Sequence, residues 1–278
     1  MGRHAIKTPP HHATWGEFLD VWRAADDIDV FESAWNWDHF YPLGPPYEGP
    51  SLEGWTMLGA LAQATSRIRI GAMVNGMHHR HPAVTANMTT TLDHVSAGRF
   101  ELGMGAGWNL MESDAYGIEL GSLKERSDRF EEGMEVIVSL LRNETTTFSG
   151  RYYELTDAWC EPKCIQQPAV PIVIGGKGRQ RTLRTVARFA DQWDMTFPET
   201  PDEWRELDEV LRQHCVDVGR DHAEIARSVH LGFDPDVEPA ELAERANGFF
   251  DAGVDIAVWS MRGPIDATRL EPLAEALS

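Results

Sequence analysis

Short apolar runs alternate with amphipathic stretches along almost the whole chain, and this alternation predicts its secondary structure. Apolar runs bounded by turn residues predict buried strands, and apolar positions spaced three and four apart predict helices. The predicted strands cover residues 3–8, 30–37, 67–75, 99–104, 170–174, 192–196, 225–233 and 255–260. The predicted helices cover 14–25, 51–65, 82–95, 126–142, 179–190, 201–218, 239–252 and 265–277, with Thr14 and Ser51 as the first two N-caps.

Strands that alternate with helices in this way favour a parallel sheet covered by helices. A chain of 278 residues suits closure of that sheet into a (β/α)8 TIM-type barrel better than an open doubly wound sheet. The stretch 145–155 alternates like a hairpin, so we interpret it as an insertion into the barrel. We therefore expect a single barrel domain over residues 1–278, with the insertion at about 144–168.

Composition narrows the classes of protein to which the chain can belong. Its formal net charge of -19 argues against nucleic acid and against anionic membrane surfaces, which both need a basic face. No apolar run approaches the roughly 20 residues of a membrane span, and the first residues lack a signal-peptide core. We expect a cytoplasmic location. Cys160 and Cys164 have no second cysteine pair beside them, so we expect no metal site.

In such a barrel the active site lies at the carboxyl ends of the strands. The residues at these ends combine aromatic rings and glycines with a few polar groups, which suits a large planar cofactor better than a sugar or a bare metal ion. They are Lys7, 37–39, 73–75, 78–81, 105–109, 175–178, Phe197 and Trp259. Among them, Gly105, Ala106 and Gly107 leave backbone open to a ligand.

The glycine-rich segment Gly175-Gly176-Lys177-Gly178 precedes a predicted helix that carries Arg179 and Arg181. Glycine amides at a helix N-terminus with basic neighbours can bind a phosphate. A tight turn between strand and helix explains the same glycines equally well. We keep both interpretations open at this point.

Asp38 and His39, at the end of the second predicted strand, are the best candidates for acid–base chemistry. A histidine titrates near neutral pH, and a neighbouring carboxylate can orient a donor. The alternative is a capping aspartate beside a packed histidine. His78, His79 and His81 lack the spacing of a zinc motif, so we expect a loop in which His79 faces the substrate. Trp37, Trp108 and Trp259 are at strand ends and could line a pocket, although each could equally belong to the core.

Several segments together carry a family resemblance. They are WDHF at 37–40, RIRIGAMV at 67–74, HPAV at 81–84, TLDHVSAGRFELGMGAGW at 91–108, GRYY at 150–153, IGGKG at 174–178 and ADQW at 190–193. With these motifs the chain resembles the luciferase-like monooxygenase superfamily, in its coenzyme F420-dependent branch. The match extends over most of residues 1–200.

The resemblance implies a barrel that binds a flavin or deazaflavin over a bulge in the third strand. A non-prolyl cis peptide would lie at Met73–Val74, beside Asn75, with Ala106 and Gly107 against the cofactor. Asp38 matches the family carboxylate beside the deazaflavin ring, and His39 matches the histidine linked to proton handling. The phosphate would bind at residues 175–178.

The function that the resemblance implies is hydride transfer between the deazaflavin C5 and a small organic substrate. Trp108 stands where the sugar-phosphate dehydrogenase of this branch has a glutamate, so glucose 6-phosphate is a poor substrate prediction. One alternative is an FMN-dependent monooxygenase, which would use oxygen and a separate flavin reductase. Another is a cofactor-free binding barrel or a metal hydrolase. Members of the family often pair, so a homodimer is a further expectation.

Overall fold

The computed structural model describes residues 2–278, in which eight parallel strands close into a barrel surrounded by helices. The strands are β1 (Arg3–Lys7), β2 (Phe31–Asn36), β3 (Arg69–Ala72), β4 (Asn75–Gly76), β5 (Phe100–Gly105), β6 (Thr146–Ser149), β7 (Glu154–Ala158), β8 (Ile172–Gly175), β9 (Gln192–Met195), β10 (Ala226–Phe233) and β11 (Ile256–Met261). The barrel order is β3-β2-β1-β11-β10-β9-β8-β5, and the pairing of β5 with β3 closes the ring. The predicted TIM-type fold is confirmed.

Helices follow most barrel strands and cover the outside of the ring. They are α1 (Trp15–Asp27), α2 (Gly54–Ala64), α3 (Pro82–Val95), α4 (Leu110–Tyr116), α5 (Leu123–Arg142), α6 (Thr182–Phe189), α7 (Pro201–Val218), α8 (Pro239–Ala252) and α9 (Leu270–Leu277). The antiparallel pair β6 and β7 forms the predicted hairpin outside the barrel. None of the helices in residues 2–278 combines the length and apolar character that crossing a bilayer requires.

The apolar residues form two cores, because each barrel strand is buried on both faces. The larger core lies between the sheet and the helices and includes Trp22, Phe100 and Trp193. A smaller core fills the inside of the barrel. Its buried members are Ala5, Trp35, Met73, Val173, Ile256 and Val258. This inner core closes the barrel and leaves the carboxyl ends of the strands to form the site.

Several predicted boundaries are wrong for local reasons. The strand predicted over 67–75 is interrupted, because β3 ends at Ala72 and β4 resumes at Asn75. Helix α2 is capped by Glu53 rather than Ser51, since the Glu53 carboxylate accepts from the amides of Trp55 and Thr56. The two helices predicted to begin at 126 and 179 begin at Leu123 and Thr182. Helix α4 is absent from the predicted elements, because seven residues are too few for a helical period to be visible.

Close packing inside the barrel gives one testable prediction about a glycine. A Cβ on Gly103 would lie 2.1 Å from the backbone oxygen of Ala72, so Gly103→Ala must push two strands apart. We expect the free energy of unfolding to fall by about 1–3 kcal/mol, as for other overpacked sites. Gly59→Ala is the matched control, because a Cβ on Gly59 in helix α2 would meet nothing within 4 Å. There we expect a gain of about 0.5–1 kcal/mol.

Denaturant unfolding of the two variants measures both changes. Equal unfolding midpoints for Gly103→Ala and the natural protein would contradict the packing argument.

Candidate active site

A cavity of about 530 Å³ opens at the carboxyl ends of the barrel strands. Its size and its mixture of aromatic, glycine and polar residues are typical of a cofactor site. The lining residues include Lys7, Trp37, Asp38, His39, Met73, Val74, Asn75, His79, Ala106, Gly107, Trp108, Gly175, Gly176, Thr182, Asp194, His230 and Ser260. Most of the residues predicted from strand ends are therefore brought together here.

A shelf formed by Met73 and Val74 crosses one wall of the cavity. The peptide bond between these two residues is cis, as the family resemblance implied. The Val74 side chain fits into space left by glycines on the neighbouring strands. A Cβ added to Gly105 would lie 2.8 Å from a Val74 methyl group, and a Cβ added to Gly175 would lie 3.1 Å from the other. Asn75 then donates a 2.7 Å hydrogen bond to the backbone oxygen of Gly103. A flat, apolar surface suited to a ring results.

Asp38 follows β2 and is the centre of a buried ion-pair network. Its Oδ2 atom accepts hydrogen bonds from Arg80 at 2.7 Å and from the Gly76 amide at 3.3 Å, and it lies 3.1 Å from His79 Nδ1. Burial alone would raise the pKa of Asp38, but hydrogen bonds with His79 and Arg80 lower it below its ordinary value. Asp38 is therefore an ionised carboxylate. Its other oxygen, Oδ1, has no hydrogen-bond partner among residues 2–278.

His39 is oriented by a carboxylate that sequence reasoning missed. His39 Nδ1 lies 2.8 Å from Glu112 Oε2, and the Phe40 amide donates to the other Glu112 oxygen. Burial alone would raise the pKa of Glu112, but the hydrogen bonds from His39 and Phe40 hold it below its ordinary value. Glu112 lies on α4, which is capped by Asn109. The signal that could have found it is the spacing Asn-x-x-Glu at 109–112, typical of a helix start.

The predicted tryptophans divide between the cavity and the core. Trp37 and Trp108 line the cavity, and Trp108 lies at its rim with 62% of its surface exposed and its ring 5.5 Å from that of His39. Trp259 does not line the cavity. It is fully buried and its indole nitrogen donates to His4 Nδ1 at 3.3 Å, because alternate residues of β11 point to opposite faces of the strand. Its neighbour Ser260 lines the cavity instead.

Only part of the predicted phosphate segment lines the cavity. Gly175 and Gly176 do so together with Thr182, the first residue of α6. Gly176 has a φ of 137°, and a Cβ there would lie 3.0 Å from the Thr182 side chain. Lys177 and Gly178 are not among the lining residues, and Lys177 pairs with Glu203 at 3.0 Å.

The expected basic patch near this segment is neutralised by acidic neighbours. Arg181 pairs with Asp128 at 2.8 Å and with Glu131 at 2.5 Å, and Arg179 lies 3.8 Å from Glu206. These arginines are therefore held by carboxylates on other helices rather than left for a ligand.

The histidines that follow the third strand show no metal-binding arrangement. His79 pairs with Asp38, as described above. His78 lies 3.3 Å from the Ser113 hydroxyl, and burial lowers its pKa to about 4, so it is neutral. In the part of the chain that the structure describes, no group of three or more His, Cys, Asp or Glu residues is arranged to hold a metal ion.

Four further polar residues at the inner end of the cavity form what we call the cavity floor: Lys7, Asp194, His230 and Ser260. Sequence reasoning placed Lys7 at a strand end without a role and did not single out the other three. Asp194 and His230 lie inside strands β9 and β10, where a polar residue gives no signal of which face it occupies.

The luciferase-like monooxygenase family matches residues 2–275 of the chain. Together with the closed barrel and the shelf at its carboxyl end, this match identifies the protein as an enzyme of that family.

Similar proteins include both dehydrogenases and a protein without an assigned activity. A Mycobacterium tuberculosis protein of the latter kind is 33% identical over 174 residues, which are 62% of this chain and 58% of that protein. An F420-dependent glucose-6-phosphate dehydrogenase from Kineococcus radiotolerans is 30% identical over 244 residues, 86% of this chain and 70% of the enzyme. A solved F420-dependent secondary alcohol dehydrogenase superposes with a TM-score of 0.90 at 18% identity, covering 100% of this chain and 99% of that one.

Proposed function

We propose that the protein is a coenzyme F420-dependent oxidoreductase that moves a hydride between the deazaflavin C5 and a small organic substrate. The observation that carries this proposal is His39 in the wall of a cavity large enough for a tricyclic ring, oriented from behind by the buried Glu112. The similarity to two F420-dependent dehydrogenases supports the choice of cofactor. The deazaflavin would supply the two-electron chemistry when it is bound.

The residues present fit such a cofactor. Met73, Val74 and Asn75 offer a flat surface, and Gly107, with a φ of 89°, has no room for a Cβ because His78 lies 2.4 Å from that position. Ala106 and Gly107 line the cavity and, as small residues, leave room there for the ring. The Gly176 amide already donates to the backbone oxygen of Asp194 at 3.0 Å, so the Thr182 hydroxyl at the start of α6, beside Gly175 and Gly176, is the group suited to a phosphate. Asp38 lines the cavity, and its Oδ1 atom has no hydrogen-bond partner in the part of the chain that the structure describes, which fits a hydrogen-bond donor on the ring.

His39 would hold the proton that accompanies hydride transfer. Oxidation of an alcohol removes a hydride from carbon and a proton from oxygen, so a base must lie beside that oxygen. Glu112 occupies Nδ1 of His39 and leaves the other ring nitrogen, Nε2, outside the pair. Trp37, His79 and Trp108 would shape the substrate side of the cavity, and their aromatic rings suit an apolar alcohol or ketone.

An FMN-dependent monooxygenase is the second candidate. The family is that of the luciferase-like monooxygenases, and the shelf would accept either ring. The pairing of Lys177 and Arg181 with carboxylates also makes these two cations less available to the acidic tail of coenzyme F420. In that case a flavin reductase would be a partner. We keep the homodimer as a proposal for either cofactor.

Titration of the purified protein with oxidised coenzyme F420 and, separately, with FMN tests the proposal. We expect the deazaflavin to bind more tightly, with fluorescence quenching as the measurement. Tighter binding of FMN would favour the monooxygenase instead. Binding of neither cofactor would contradict both the oxidoreductase and the monooxygenase proposals.

A further inference from the structure

The cavity floor places charged groups inside the barrel that the proposed proton transfer does not use. Lys7 is 7% exposed, Asp194 is 1% exposed and His230 is 2% exposed. Register places Lys7 beside Ser260, and Asp194 beside Ser228. Lysine and aspartate are almost never this buried unless they are paired or bind something.

The hydrogen bonds within the floor are incomplete. Asp194 Oδ1 accepts a 2.8 Å hydrogen bond from the Ser228 hydroxyl, but Oδ2 has no hydrogen-bond partner among residues 2–278. His230 Nδ1 lies 3.5 Å from that oxygen and is likewise without a hydrogen bond in the described chain, while its Nε2 lies 3.1 Å from Met73 Sδ. The Lys7 ammonium lies 5.4 Å from the centroid of the Trp37 ring.

Burial away from water also shifts the pKa values of these groups. Burial lowers the pKa of Lys7, and the Asp194 carboxylate opposes that change. Burial raises the pKa of Asp194, and both the Ser228 hydroxyl and Lys7 oppose it. Burial, assisted by the charge on Lys7, holds the pKa of His230 well below its ordinary value, so His230 is neutral. Lys7 offers a donor and Asp194 an acceptor, and both residues line the same cavity.

The following inference rests on the proposed function. We propose that Lys7 and Asp194 bind the imide edge of the cofactor ring, where a carbonyl oxygen lies beside an N–H group. The ammonium donates to the carbonyl oxygen, and the free Asp194 oxygen accepts from the N–H. This edge is common to deazaflavins and flavins. A phosphate or carboxylate would satisfy Lys7 but be repelled by Asp194. An apolar substrate would leave both groups without partners, which is costly in a buried site.

A pair of ligands that differ by one methyl group tests this inference on the natural protein. FMN and 3-methyl-FMN differ only in the imide N–H, and 5-deaza-FMN with its 3-methyl derivative forms the equivalent deazaflavin pair. We expect methylation to weaken binding by about tenfold or more in the pair whose ring the site accepts, because Asp194 then loses its donor. Equilibrium dissociation constants from fluorescence quenching provide the readout, and no turnover is needed.

Variants assign the effect to the floor. In Lys7→Met/Asp194→Ala both charges are removed together, so neither is left buried alone, and space opens for the methyl group. We expect this double variant to bind the unmethylated ring more weakly and to lose the preference against methylation. Lys124→Met is the matched control, because Lys124 is an exposed residue of α5 paired with Asp128. It should retain the natural affinity and preference.

The outcomes separate this inference from the proposed function. If the natural protein binds no flavin or deazaflavin, the proposed function and the inference both fail. If it binds the rings but does not discriminate against methylation, the inference alone fails. The same holds if the folded double variant rejects the methylated ring as strongly as the natural protein does. If the double variant does not fold, the methylated pairs on the natural protein still give a decision.

Discussion

We expect His39→Ala to lower turnover by about 10²- to 10⁴-fold while leaving cofactor affinity nearly unchanged. This range is typical of the loss of a positioned general acid or base. The imidazole is oriented by Glu112 through Nδ1, so the effect requires both the ring and its orientation. Steady-state turnover of an accepted alcohol or ketone, together with cofactor titration of the same variant, measures the two quantities.

A second variant and a control variant test whether the loss of turnover comes from the role of His39 in proton transfer. Glu112→Gln keeps the size of the side chain but removes the charge beside His39, so its turnover should lie between those of the natural protein and His39→Ala. His94→Ala is the matched control, since His94 is exposed on α3 and bonds to the Lys163 backbone oxygen. Full turnover by His39→Ala with bound cofactor would remove His39 from the proposed chemistry.

We expect Asp38→Ala to destabilise the protein by about 3 kcal/mol and to weaken cofactor binding. Removing one member of a buried ion pair costs about 3–5 kcal/mol, because the remaining charge stays buried without its partner. We expect the lower end of this range, because Arg80 would still form an ion pair with Glu53 at 3.0 Å. Denaturant unfolding and cofactor titration measure the two losses. Asp202→Asn is the control, because its pair with Arg205 is exposed and should change stability by no more than about 0.5 kcal/mol.

The same carboxylate gives the expected pH dependence. The pKa of Asp38 is lower in the folded protein than its ordinary value of 3.8. Its stabilising contribution is therefore complete above that ordinary pKa and is lost as the pH falls through the lower folded-state pKa. Asp38→Asn should show a shallower loss of stability in that acidic range. An identical acid unfolding profile, or unchanged cofactor affinity in Asp38→Ala, would contradict the role given to Asp38.

Much of the fold and part of the site were predictable from local sequence. The strand–helix alternation predicted the barrel, because buried parallel strands consist of short apolar runs. Helices α7 (Pro201–Val218) and α8 (Pro239–Ala252) also begin and end at the predicted residues. Strand ends predicted the cavity wall at Asp38, His39, Met73 and Gly107, since all parallel strands present their carboxyl ends on one side.

Tertiary structure decided which of those residues work together. Trp37 and Trp259 look alike as strand-end tryptophans, yet the pleat of β11 buries Trp259 and turns Ser260 toward the cavity. His39 and Glu112 are 73 positions apart, so no local pattern could pair them.

The sequence by itself therefore determined the barrel, its family and the end at which the candidate site lies, because these depend on periodicity and short motifs. The pairings that define the site were decided only by the folded structure. Glu112 pairs with His39, Glu203 pairs with Lys177, and the charge of Lys7, from the opposite side of the ring, counteracts the rise that burial causes in the pKa of Asp194. Each of these interactions joins different segments of the chain, and the folded barrel sets the distance between them.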